Sequence, residues 1–174
     1  FLDPAIIDIF HKLEFSSTVR KLENAGLLVM LLERFVELDL HLDTVSNLEM
    51  GYIFEELIAK FNASSDENVG EHYTPKEITQ LMSRLLLCDQ KLESNKLYTI
   101  HDPCCGSGGM LSIAKEAFID ACCNVQVELF GQEINAESYA VCKADFFLKG
   151  EAGEIQFGST LAQDCRSEEH TSEL

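Results

Sequence analysis

The sequence predicts an α/β fold: a helical N-terminal region, then a parallel sheet that binds nucleotide-like ligands at its carboxyl edge. Three observations predict it. A β-rich run, Leu97-Tyr98-Thr99-Ile100, leads through Asp102 into a glycine-rich loop (Gly106-Ser107-Gly108-Gly109) and then a helix. From there to residue 157 the apolar pattern alternates strand, helix, strand, helix, strand. Residues 3 to 64 carry helical spacing, with no proline between Pro4 and Pro75.

In the lead-in, Ile6, Ile7, Phe10 and Leu13 recur at helical spacing. Leu22, Leu27, Leu28, Leu31, Leu32, Phe35 and Leu38 continue the pattern, and Met50, Ile53, Phe54, Leu57, Ile58 and Phe61 give another apolar face. The polar run from Asn62 to Gly70 reads as a loop. Thr74-Pro75-Lys76-Glu77 then opens a helix that runs to about Leu87, with Thr74 at the N-cap, Pro75 in the first turn and Glu77 completing a capping box. After the strand at Leu97–Ile100 and its glycine loop, Met110 to Cys122 reads as a helix with Leu111, Ala114, Ala117, Phe118 and Ala121 on one side. Val125 to Glu133 is a second strand, Ala136 to Leu148 a second helix, and Glu154 to Phe157 a short third strand. That alternation implies parallel strands joined by right-handed crossovers.

Composition narrows the class. A length of 174 residues suits one domain, or a helical piece joined to part of a second. The expected division is a helical region over residues 1–69 and a ligand-binding part over 70–165. Residues 166–174 resemble translated sequencing-adapter DNA and are set aside as non-native, so the natural gene is expected to continue past about Cys165. The seven cysteines are odd in number, include two adjacent pairs and contain no C-x-x-C; reduced thiols in a cytoplasmic protein are expected, not disulfides or zinc. No secretory leader is evident, and no run approaches the ~20 apolar residues of a membrane span. The net charge of −17 opposes binding of nucleic acid by this chain alone.

The candidate chemistry sits where ligands bind in open α/β sheets. Asp102 and Glu133 stand at the carboxyl ends of adjacent expected strands. A carboxylate after the second strand can accept hydrogen bonds from both ribose hydroxyls of an adenosine, which fits Glu133. Its other reading is a charge stabilised by the dipole of the following helix. A dinucleotide loop needs G-x-G-x-x-G; Gly106 and Gly108 fit, but Leu111 takes the third place and Asp102 adds negative charge. An adenosine with a positive centre and no phosphate, such as S-adenosylmethionine, suits this loop better.

Three segments in order sharpen this: Gly70-Glu71-His72-Tyr73-Thr74-Pro75-Lys76, then Asp102-Pro103-Cys104-Cys105-Gly106-Ser107-Gly108-Gly109-Met110-Leu111, then Gly131-Gln132-Glu133-Ile134-Asn135. Together they resemble the modification (methylase) subunit of type I restriction–modification systems, an N6-adenine DNA methyltransferase. Met50-Gly51-Tyr52-Ile53-Phe54-Glu55-Glu56-Leu57 also resembles the helix preceding that family's first cofactor motif. The similarity covers roughly residues 46 to 164.

The resemblance implies the truncated first half of a Rossmann-like, S-adenosylmethionine-dependent methyltransferase sheet. It implies that Glu71, His72, Tyr73, Thr74, Pro75 and Lys76 wrap the methionine end of the cofactor, Thr74 and the free N–H groups of its helix meeting the carboxylate. A simple capping role for Thr74 is compatible with this. Gly106, Ser107, Gly108 and Gly109 would line the cofactor, Asp102 would face its ammonium, directly or through water, and Glu133 would take the ribose. It further implies a specificity subunit that reads duplex DNA, and a restriction subunit, as partners. Two departures stand out. Gly158-Ser159-Thr160-Leu161 replaces the family's Gly-Asp-Thr-Leu, which weakens the expected hold on adenine. The catalytic Asn-Pro-Pro-aromatic motif is absent, the three prolines being Pro4, Pro75 and Pro103, so no turnover is expected from this chain alone. Two other readings stay open: a non-catalytic helical interaction module on a degenerate nucleotide-type fold, and a nucleotide-dependent oxidoreductase.

Overall fold

The computed structural model describes residues 3–41, 43–64 and 74–162. Four helices lead in: α1 (Pro4–Lys12), α2 (Phe15–Asn24), α3 (Leu28–Val36) and α4 (Asn47–Ser64). Then come α5 (Lys76–Leu87), β1 (Leu97–Asp102), α6 (Gly109–Ala121), β2 (Gln126–Glu133), α7 (Ala136–Lys149) and β3 (Gly153–Phe157). Each element expected in the α/β half is present within two residues of its expected bounds.

The lead-in breaks where the apolar spacing alone gives no sign. Gly26, at φ 68°, ends α2, and α3 restarts at Leu28, so the stripe from Leu22 to Leu38 is not one face. α3 buries none of its residues, leaving Val29, Met30, Leu32, Phe35 and Val36 exposed. The start of α5 also differs from expectation. Pro75, not Thr74, is the N-cap; its carbonyl accepts from the N–H groups of Ile78 (3.0 Å) and Thr79 (3.1 Å), and no side chain caps the helix. Pro75 has a helix-compatible φ of −53° but an extended ψ of 137°, so the helical turn begins one residue later than the capping-box pattern suggests.

The three strands form a parallel sheet in the order β1-β2-β3. Asp102 pairs with Gly131, and Glu133 pairs with Phe157. Both acids therefore lie at the carboxyl edge, on neighbouring strands. The core runs between the sheet and its helices, through Leu111, Val127, Leu129, Tyr139, Cys142, Phe146 and Ile155, with Cys105 reaching in from the loop. Leu111 and Leu129 are fully buried; each such side chain contributes about 1.5–3 kcal/mol by leaving water.

α7 is the element on which the lead-in rests. Its N-cap, Asn135, accepts from the N–H groups of Glu137 and Ser138, both at 3.0 Å, and Gly150 ends it at φ 63°. α1 and α4 pack against α7, while α5 packs against α6. α1 is pinned there by Ile9, which is buried, by the Tyr139 hydroxyl donating to Asp8 (3.1 Å) and by Lys12 lying 3.5 Å over the Phe157 ring.

Candidate functional site

The loop after β1 is folded by its own backbone donors. Cys104 N–H donates to Oδ1 of Asp102 (3.0 Å), and Cys105 N–H to the Gln132 carbonyl (3.1 Å). Gly106 N–H donates to Oε2 of Glu133 (2.9 Å), and Gly108 N–H to the Cys105 carbonyl (2.8 Å). Gly108 sits at φ 86° as the N-cap of α6, and a Cβ there would lie 2.6 Å from Cys142 Sγ. Only glycine meets both demands. The Thr160 hydroxyl donates to the Pro103 carbonyl, tying the segment after β3 to the same loop.

Glu133 joins two elements. Its Oε1 accepts from Asn135 N–H (2.6 Å) at the entrance of α7 while Oε2 holds the glycine loop. The helix-side reading thus has direct geometry behind it. A carboxylate has further lone pairs, and Glu133 still faces the cavity beside the loop.

That cavity has a volume of about 840 Å³, within the range of small-molecule and cofactor sites. Of the residues singled out from sequence, it is lined by Thr74, Lys76, Asp102, Gly106, Ser107, Gly109 and Glu133. Pro75 and Gly108 shape the neighbouring backbone without lining it. Glu71, His72 and Tyr73 lie outside the described residues. Among the described residues, six carboxylates line the cavity (Glu55, Glu56, Asp102, Glu116, Glu133 and Asp145) against one lining ammonium, Lys76, with Glu55 and Asp145 also paired to Lys149 behind it. Such a lining repels phosphates and favours a ligand with positive centres. Among the described residues, no group of three or more His, Cys, Asp or Glu could hold a metal ion, and no helix is long and apolar enough to cross a membrane. The six described cysteines are free. A hydrogen bond with Cys105, then burial, pushes the Cys142 thiol far up, so it stays protonated in the core.

Several lining residues escaped the sequence reading. α4 supplies Tyr52 and Glu55, and α6 and α7 supply Ser112 and Asp145. Ser112 Oγ and Asp145 Oδ1 are buried with no hydrogen-bond partner among the described residues. Burial raises the Asp145 carboxyl to about 6, against the opposing effect of Lys149. Lys149 itself is raised, because Asp145 and Glu55 together outweigh its own burial. The two partners move the same way because one ammonium serves two acids, with Glu151 nearby as well. The i,i+4 spacing of Asp145 and Lys149 was the one sign of this pair in the sequence.

The N-6 DNA Methylase family model matches residues 46–174, well over half of the chain. Among curated relatives, the type I restriction enzyme MjaIX methylase subunit of Methanocaldococcus jannaschii is 29% identical over 115 residues, which are 66% of this chain and 19% of that protein. The EcoEI methylase subunit of Escherichia coli is 27% identical over 146 residues, 80% of this chain and 28% of that protein. The chain thus spans well under a third of these relatives' lengths. Among solved structures, the type I restriction–modification methyltransferase subunit from Streptococcus thermophilus aligns with a TM-score of 0.58 at 27% identity, over 72% of this chain and 26% of that one. With the matched region opening just ahead of α4 and enclosing the whole sheet, the chain belongs to the N-6 DNA methylase family.

Proposed function

We propose that this chain is the donor-binding part of a type I restriction–modification methylase subunit, which moves a methyl group from S-adenosylmethionine to adenine N6 in DNA. One observation carries the reading. Asp102 and Glu133, on neighbouring strand ends, flank the glycine loop and share with Thr74 a single cavity whose lining is strongly negative. S-adenosylmethionine carries a sulfonium and an ammonium and no phosphate, and when bound it supplies an electrophilic methyl group.

In this reading residues 70–165 hold the donor and residues 1–69 lead into them. Glu133 accepts from the ribose hydroxyls with lone pairs left over from Gly106 and Asn135. Asp102 faces the ammonium, directly or through a water. Gly106, Ser107, Gly108 and Gly109 let the backbone approach the sulfur end. Thr74, with the free N–H groups of α5, meets the methionine carboxylate, and Glu71, His72, Tyr73, Pro75 and Lys76 belong to the same wrap. Ser159, where the resemblance expects aspartate, leaves the adenine less firmly held. The target adenine leaves the duplex stack to reach the donor. With a net charge of −17, the chain relies on a specificity subunit to engage duplex DNA and acts beside a restriction subunit in the cytoplasm. Lacking an Asn-Pro-Pro-aromatic segment, it performs no turnover by itself.

Calorimetry tests this. S-adenosylmethionine is expected to bind, NAD is not, and Glu133→Ala is expected to weaken donor binding at least tenfold. Uptake of NAD in place of S-adenosylmethionine overturns the donor reading and revives the oxidoreductase. Sequence-dependent DNA methylation by the isolated chain contradicts the absence of turnover.

A further inference from the structure

A buried cation links α4 to α7. Lys149, at the end of α7, has a side chain only 5% exposed. Its ammonium donates to Asp145 Oδ2 (2.8 Å), one turn back on the same helix, and to Glu55 Oε1 on α4. The ammonium also lies 5.9 Å from the centre of the Tyr52 ring. Its aliphatic stem crosses α4 at Gly51, where a Cβ would come within 2.6 Å of Lys149 Cγ. A missing side chain makes the notch, the stem fills it, the ring flanks the charge, and the carboxylate receives it. Surface ion pairs bring little order to a helix contact; a buried ammonium with two acceptors is different, because removing it leaves the buried Asp145 carboxylate unpaired and frees the half-exposed Glu55 from α7.

The same α4 residues reach the cavity. Tyr52, Glu55, Glu56 and Ala59 of α4 line it together with Asp102, Gly106 and Glu133. Asp145 lines it from α7. We infer that Lys149 is a positioning residue for the donor site: by seating its stem on Gly51 and its ammonium on Glu55, it holds α4 in place as a wall of the cavity. The functional half of this rests on the donor reading given above, whereas the mechanical half does not.

Two variants separate the halves. Lys149→Met keeps most of the stem and removes the charge. Gly51→Ala keeps every charge, but its methyl group displaces the stem. Alanine also favours helix over glycine, so a role confined to helix stability would slow hydrogen exchange in α4. The inference expects the reverse: exchange of the α4 amides in the unliganded chain at least tenfold faster in both variants, with α6 unchanged. The dissociation constant for S-adenosylmethionine, by calorimetry, is expected to rise at least fivefold in both. Unchanged α4 protection overturns the inference, as does lost protection with unchanged donor affinity. If the unaltered chain takes up no S-adenosylmethionine, the donor reading falls, and exchange alone then decides whether Lys149 holds α4. Glu55→Gln, which leaves the Lys149–Asp145 bond intact, carries the same test should Lys149→Met fail to fold, with a smaller change in the same direction.

Discussion

Gly108 and Gly109 are neighbours with opposite tolerances. A Cβ at position 108 faces both a left-handed backbone and Cys142 Sγ at 2.6 Å, whereas one at position 109 meets nothing within 4 Å. Left-handed strain of roughly 1–2 kcal/mol and overpacking of about 1–3 kcal/mol together predict that Gly108→Ala destabilises by about 3 kcal/mol. Gly109→Ala, at the first position of α6, is expected to lie within about 1 kcal/mol of the unaltered chain. Denaturant unfolding of the pair measures the contrast. Asp145 supplies a pH dependence. Its carboxyl is raised by burial from 3.8 to about 6, so the folded state holds the proton more tightly than the unfolded state. The stability it contributes is full below about pH 4 and is lost as pH rises through 6. Lys149, Glu55 and Glu151 are the charged groups facing it. Relative to Asp145→Asn, the unaltered chain is expected to lose stability between pH 4 and pH 7; parallel unfolding curves at both ends of that range would refute this.

α7 is the element through which the rest is organised, carrying β2 into β3 and receiving both α1 and α4. Its N-cap is the point to test. Asn135→Ala removes acceptors from two backbone N–H groups and is expected to cost about 0.5–2 kcal/mol, seen as a lowered midpoint in thermal unfolding. The strands and helices from β1 onward were legible in the sequence because local period and glycine punctuation set them. The loop between Asp102 and Gly109 was legible from its glycines, but its ties to Gln132, Glu133, Cys142 and Thr160 were not, because they come from distant elements. The break at Gly26 was missed because Leu22 to Leu38 keeps helical spacing across it; the glycine itself, at φ 68°, was the sign in the sequence. Thr74 misled because a capping box and a proline suited to the first turn agree on the earlier start, while the extended ψ of Pro75 that sets the later one has no local sequence mark. Asp102 and Glu133 were read as neighbours because parallel strands bring successive carboxyl ends together. Glu55 and Lys149 stand 94 positions apart and share no motif; only the packing of α4 on α7 brings them together.

Across the whole chain the apolar surface is unevenly placed. α3 exposes Val29, Met30, Leu32, Phe35 and Val36, and α5 exposes Ile78, Leu81, Met82, Leu85 and Leu86. β1 is an edge of the sheet, pairing with β2 alone among the described strands. Exposed apolar helix faces and an open strand edge each promote association. Sedimentation velocity of the 174-residue chain is therefore expected to show concentration-dependent self-association, despite the charge of −17. The double variant Val36→Lys, Leu86→Lys is expected to shift the distribution toward the monomer, and an unaltered chain that stays monomeric at high concentration would refute it. The notch at Gly51 has a consequence of another kind, for descent. A lineage that acquires a larger residue at position 51 must shorten or redirect the side chain at 149, and that strands two acids without their shared counter-ion. Drift at any one of positions 51, 55, 145 and 149 therefore restricts the other three, and among related sequences the four are expected to be inherited as a set or exchanged as a set.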